Sequence, residues 1–299
     1  MSQDVSEPLP KAEPDHGSRG AWWRVLLTGL GLYLIGLILL GVTGNPNLFP
    51  TVVILGSFVV PATYVAFFYE HRHLSLLSLP TTAMSFFWGG VLGVFAATIL
   101  EPLFIGRLSF LSAFQVGLIE EFAKILGVLW IARKVRHDSQ VDGLILGAAA
   151  GMGFAALEST GYAFTAFLSS GGSLSATVVV TLLRGLLSPL GHGTWTAILV
   201  GVLFRESAAG RFHLNRKVVG AYLTVAVLHG LWDGLPGFVS AFVSSGMDVF
   251  IAQALVGATG LYILWSRWRE SVRLQLAEIS RAPVLDEQGK VSVGDDTLP

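Results

Sequence analysis

Phe114-Gln115-Val116-Gly117-Leu118-Ile119-Glu120-Glu121-Phe122-Ala123-Lys124-Ile125-Leu126 places two adjacent carboxylates and a lysine in the middle of an apolar run of helix-forming length. A charge at the centre of a bilayer costs at least about 2.5–3.5 kcal/mol per residue on insertion scales. Three such residues within five positions are retained only where they face a protein interior or a water-filled cavity. The stretch therefore reads as the centre of an active site buried in a membrane bundle.

The composition around it agrees. Of 299 residues, 53% are hydrophobic and 13% charged, with mean hydropathy +0.65; soluble domains carry about 25% charged residues. Cysteine is absent, which excludes disulfides, thiolate zinc sites and cysteine nucleophiles. The net charge of −1 gives no sign of a nucleic-acid partner. The bilayer is the partner that the composition implies.

Working outward, hydropathy predicts an all-α, polytopic transmembrane helical bundle of about eight spans, each of roughly the 20 residues that cross a ~30 Å core. The expected limits are 22–42, 48–69, 85–104, 110–131, 141–167, 177–204, 218–243 and 249–265. Residues 1–21, polar and Pro-rich, read as a disordered cytosolic tail. The run Trp22–Val42 is too long for a signal-peptide core and reads as an uncleaved first span. The bundle occupies 22–267, with its catalytic core at about 110–245. Residues 268–299 read as a cytosolic amphipathic and then disordered tail, with an interfacial helix over 270–281. Orientation follows from Lys and Arg: with N- and C-termini cytoplasmic, all but three of the 19 fall on the inside. The exceptions are Arg107 in an outside loop and Lys124 and Arg184 within spans. Glu101, at the end of the third span, is expected at the interface.

Four spans carry polar groups deep in apolar sequence. They supply Glu120, Glu121 and Lys124; Glu158; Arg184 and His192; and His229 with Asp233. Lys124 stands i+4 from Glu120 and i+3 from Glu121, so it can pair with either. The two glutamates point about 100° apart and are suited to different tasks. His229 and Asp233, at i,i+4, can share a proton. Counting from the span ends at 1.5 Å per residue puts Glu120 about 15 Å deep. Glu158, His192, His229 and Asp233 come out in the same central-to-outer layer. Arg184 is expected to pair with a carboxylate or reach the outer interface.

A carboxylate and a histidine aimed at one point can activate water, and a further donor can hold the oxyanion of a peptide carbonyl. That suits amide hydrolysis. Other intramembrane protease chemistries lack their motifs: no G-x-S-G, no G-x-G-D and no H-E-x-x-H occurs.

The set Glu120-Glu121-x-x-Lys124, Phe154-x-x-x-Glu158, His192 and His229-x-x-x-Asp233, in that order on consecutive spans, resembles the PrsW family. That family belongs with the glutamate-type intramembrane proteases, together with the CAAX-prenyl endopeptidases and bacteriocin-immunity-type proteins. The resemblance implies an intramembrane endopeptidase acting on membrane-spanning protein substrates, of the anti-sigma-factor kind, in a bacterial-type plasma membrane. It implies that Glu120 is the water-activating base, that Glu121 and Lys124 shape its charge, and that Glu158 orients the water. His229 and Asp233 would correspond to the oxyanion pair, with Asp233 where relatives often carry Asn.

Two alternatives stay open at this point. Glu158, His192 and His229 could make a His₂Glu zinc site with Glu120 or Glu121 as base. The same polar groups could instead relay protons in a transporter, although paired half-repeats are not evident.

Overall fold

Serine and proline set where the helices begin. Buried or lipid-facing backbone N–H groups need partners, and a helix start leaves several unpaired. Ser78, Ser109, Ser139 and Ser173 each turn a hydroxyl back onto the first turn of the helix that follows. Pro50 and Pro80 occupy first-turn positions, where the missing N–H costs nothing.

The computed structural model describes residues 20–72, 75, 77–107, 109–133, 139–207, 211–240, 247–281, 284–285 and 291–292. The helices are α1 (Ala21–Thr43), α2 (Phe49–Glu70), α3 (Leu79–Phe104), α4 (Phe110–Ala132), α5 (Gln140–Ser169), α6 (Leu174–Leu187), α7 (His192–Arg205), α8 (Arg216–Ser240) and α9 (Met247–Arg281). Among the described residues the regular elements are α-helices and short 3-10 turns, apart from a two-residue antiparallel pairing of Val284–Leu285 with Val291–Ser292. Of the expected N-terminal tail, all but residues 20 and 21 lies outside the described residues.

Among the described residues, six segments are long and apolar enough to cross a membrane: α1, α2 with the turn before it, α3, α5, α6 with α7, and α8. This is an integral, multi-pass membrane protein. The helix that carries Glu120, Glu121 and Lys124 is not among the six; α4 packs between α3 and α8. The last helix runs on through Arg281, so that the residues expected as an interfacial helix over 270–281 continue the eighth expected span. Its extension is tied down: Arg205 and Arg267 both bond Glu270, at 2.8 and 3.0 Å, and Gln275 donates to Ser139 at 2.8 Å.

The core is organised around α5, which is buried almost throughout and packs most extensively on α7 and α3. Gly143, Gly147 and Gly151 explain the closeness of α7. A Cβ at these positions would run into the backbone carbonyls of Val200, Thr196 and His192. Small residues at every fourth position let two backbones meet in a membrane, where lipid tails give apolar side chains no drive to associate. On the other side, Ser85 of α3 donates to the Leu146 carbonyl of α5 at 2.9 Å. By contrast α1 packs mainly on α2 and leaves most of its apolar surface outward.

The expected span over 177–204 is not one helix. A 3-10 turn at Ser188–Leu190 separates α6 from α7, so that His192 becomes the first residue of α7. Pro189 has no N–H to continue the helix, and its ring would clash with the carbonyl of Gly185. Thr194 donates its hydroxyl to the Pro189 carbonyl at 2.7 Å and receives Tyr64 Oη at 3.1 Å. Irregular backbone at membrane depth is tolerated where it lines a cavity.

Candidate active site

Gly191 and His192 line such a cavity, of about 960 Å³, with Glu120 from α4, Glu158 from α5 and His229 and Asp233 from α8. The polar residues picked out on separate helices thus face one space.

At its floor lies Lys124, fully buried. Its ammonium donates to Glu121 Oε1 at 2.8 Å, Glu120 Oε2 at 3.1 Å and His192 Nδ1 at 2.8 Å. The ring of Phe154 covers it at 4.2 Å. Three donors meet three acceptors, which is what lets a buried ammonium stand. Lys124 therefore pairs with both glutamates at once.

The two glutamates part company beyond the lysine. Glu121 has no exposed surface. Besides Lys124 it accepts from Thr196 Oγ1 at 3.0 Å, and His229 Nδ1 lies 3.1 Å from it. Glu120 instead reaches the cavity, with its Oε2 at 3.5 Å from His229 Nε2 and 3.8 Å from His192 Nδ1.

His192 takes Lys124 on Nδ1 and holds Nε2 at 3.0 Å from Glu158 Oε2. A neutral imidazole has one N–H and one lone pair. With Lys124 donating to Nδ1, the proton is on Nε2 and goes to Glu158. Arg184 holds the same Glu158 oxygen at 2.6 Å, donates to Ser159 at 3.2 Å and stacks 4.0 Å over Tyr162. A continuous polar chain results: Arg184, Glu158, His192, Lys124, Glu120. His229 bridges its own pair of acids, with Nδ1 at Glu121 and Nε2 3.3 Å from Asp233 Oδ2. Trp195 packs on its ring at 4.7 Å between centroids.

Three placements differ from the expectations. Glu101 lines the same cavity, and its carboxyl interacts with that of Glu120. Its position at the end of the third span suggests the interface, and a lone acid in an apolar helix is the signal for a place in the site. Thr196 was passed over; it stands i+4 from His192 and so faces the same way. The third concerns the metal candidates. The donors that come together are one atom each from Glu120, His192 and His229, within 4.8 Å of one another. Glu158 is drawn aside by Arg184.

Two imidazoles and a carboxylate are the right kinds of ligand for a divalent cation such as zinc. The arrangement does not fit one, because Lys124 already occupies His192 Nδ1 and Glu120 Oε2, and the other nitrogen of His192 faces Glu158. A dication here would share two ligand groups with an ammonium.

A family model described as PrsW family intramembrane metalloprotease matches residues 78–264. The match spans α3 to α8 and the first half of α9, and so every helix that contributes to the cavity. No curated protein and no solved structure matches the chain.

Proposed function

This chain belongs to the PrsW family of intramembrane proteases, and on that premise we propose that it hydrolyses a peptide bond in a membrane-anchored protein, using water activated by Glu120. The observation that carries the reading is the meeting of donor atoms from Glu120, His192 and His229 within 4.8 Å, in a cavity walled by helices.

In this mechanism a water in the cavity gives a proton to Glu120 as its oxygen attacks the carbonyl carbon. The oxyanion that forms is met by donors from His229 and the first turn of α7, whose unpaired N–H groups carry the positive end of the helix. As the tetrahedral intermediate collapses, the proton on Glu120 passes to the departing amine. Lys124 stays charged and fixes Glu120, Glu121 and His192 relative to one another. Glu158 holds His192 in one tautomer. Asp233 and Glu101 stand nearer the cavity space, within reach of the incoming chain.

The proposed substrate class rests on the depth expected for the site, central to outer in the membrane. A bond cut in this cavity belongs to a chain that enters from the membrane or from the outer face, and an anchored regulator of the anti-sigma-factor kind meets that description. The Lys and Arg distribution supports cytoplasmic termini in a bacterial-type plasma membrane.

The test is cleavage of a single-span reporter by purified protein in lipid, with Glu120→Gln, Glu158→Gln and His229→Ala as controls. Glu120→Gln is expected to lose about 10²–10⁴-fold in turnover, the usual worth of a general base. Normal cleavage by all three variants would end the assignment. The donors do not fit a divalent cation as they stand, since Lys124 holds Glu120 and His192; a metal-dependent reaction would need Lys124 displaced from both. A chelator arm decides between the metal-free and the metal-dependent reaction. Undiminished cleavage is expected; loss on chelation with recovery on adding zinc would select the metal.

A further inference from the structure

Behind the 188–191 turn lies a second cavity, which the catalytic reading leaves unused. It is a cleft of about 380 Å³ between the last turns of α2 and the middle of α9. Phe67 and Phe68 form one wall, Leu261, Trp265 and Trp268 the other, and Tyr64 closes its inner end.

The two helices run the same way past it. At one level Gly260 of α9 lies against Thr194, which Tyr64 of α2 hydrogen-bonds. Further along both chains the rings of Phe68 and Trp268 meet at 5.3 Å. Arg72 and Arg269 each stand four residues beyond a lining residue, Phe68 and Trp265, at this second end. The Arg72 guanidinium lies 3.8 Å over the ring of Tyr69, and that of Arg269 lies 4.7 Å over Trp265, itself part of the wall. The cleft itself is lined by aromatic and aliphatic side chains and His71, and the two arginines stand beyond its second end. That is the polarity of an anionic lipid, with a chain in the aromatic slot and a phosphate at the arginines.

We propose that this cleft binds one acyl chain of an anionic phospholipid, and that its occupancy steadies the catalytic turn. The link is direct. Tyr64, the inner wall, donates to Thr194 Oγ1 at 3.1 Å, and Thr194 donates to the Pro189 carbonyl at 2.7 Å. That carbonyl belongs to the turn that aims His192. A chain packed against Tyr64 holds its hydroxyl on Thr194 and so holds the turn. A zwitterionic lipid supplies the same chain without the net charge that the arginines select.

The experiment uses the full chain in phosphatidylcholine nanodiscs doped with brominated-chain phosphatidylglycerol or, separately, brominated-chain phosphatidylcholine. Bromines quench tryptophan on contact, and the part of the quenching lost in Trp265→Phe reports the cleft. One basic residue near a membrane surface is worth about five-fold in preference for an anionic lipid. Phosphatidylglycerol is therefore expected to quench at several-fold lower mole fraction than phosphatidylcholine. The preference should vanish in the double variant Arg72→Gln with Arg269→Gln and persist in Arg72→Lys with Arg269→Lys. Equal quenching by both lipids, or a preference that survives the double Gln variant, overturns the site. The coupling, which rests on the peptidase reading, is tested by reporter cleavage. Phosphatidylglycerol should stimulate the wild type several-fold but not Tyr64→Phe, whose cleft still binds. If Tyr64→Phe is stimulated equally, the coupling is wrong. If no variant or lipid supports cleavage while the quenching preference holds, the peptidase reading fails and the lipid site stands.

Discussion

The floor and the mouth of the catalytic cavity are built on different terms. At the floor, Lys124, Glu121 and Thr196 have no exposure and His229 has 1%. Lys124 Nζ, both Glu121 oxygens, Thr196 Oγ1 and His229 Nδ1 are each answered by another polar atom at 2.8–3.1 Å. At the mouth, the side chains of Arg184, Glu158 and Asp233 are 28%, 20% and 40% exposed. Water can answer for a missing partner at the mouth but not at the floor. The floor therefore serves stability and chemistry together, whereas the mouth can be changed for chemistry alone.

The sharpest way to break this contrast is at the lysine. Lys124→Met leaves two buried carboxylates without their cation. Breaking a buried ion pair by removing one partner costs about 3–5 kcal/mol. The variant is expected to lose that much in denaturant unfolding, along with all cleavage. A variant that unfolds like the wild type would show that the floor is wetter than the packing implies.

The adjacent glutamates come next, because they differ in little except which side of the contrast they face. Glu121→Gln removes the charge that Lys124, Thr196 and His229 all address, so a loss of stability approaching that of Lys124→Met is expected. Glu120→Gln keeps a polar group facing the cavity, and its stability should fall by only about 1 kcal/mol while turnover collapses. Equal stability losses would mean that the two acids share one environment.

At the mouth, Arg184→Met should leave stability within about 1 kcal/mol, the range for partly exposed pairs. It should still lower turnover roughly ten-fold, because Glu158 would no longer be held on His192 Nε2. Arg184→Lys retains the charge but not the second contact to Ser159, and should recover part of the loss. If turnover were unchanged in Arg184→Met, the chain of contacts from Arg184 to Glu120 would have no part in the reaction.

How much of this could be read before any coordinates is itself uneven. The i+3 and i+4 spacing of Glu120, Glu121 and Lys124 forces them onto one side of any helix, so their meeting was legible. So were the apolar runs, because α1, α2, α3, α5 and α8 are apolar along their length. The break before His192 was not. Ser188-Pro189-Leu190-Gly191 is neutral enough to vanish into a window average, and only the proline hinted at it. The rotation of one helix against another was also out of reach, since spacing fixes faces within a helix and never between two. For that reason Glu158 stands in the sequence as one candidate third ligand beside the two histidines, and it is Glu120 that comes within reach of both.

The smallest effect sharpens the contrast most finely, because it compares two sides of a single ring. His229 shows Nδ1 to Glu121 in the dry floor and Nε2 to Asp233 at the wet mouth. Asp233→Asn removes a charge from the exposed side but keeps an amide that can hydrogen-bond the same nitrogen. Water can solvate what the amide does not. A loss of about three-fold in turnover is expected, which is under 1 kcal/mol on the barrier, with no measurable change in unfolding. Glu121→Gln alters the other nitrogen of the same imidazole by the same chemical step. If the two variants were to fall equally, burial would not be what separates them, and His229 would depend on the charge of both neighbours rather than on which of them is dry.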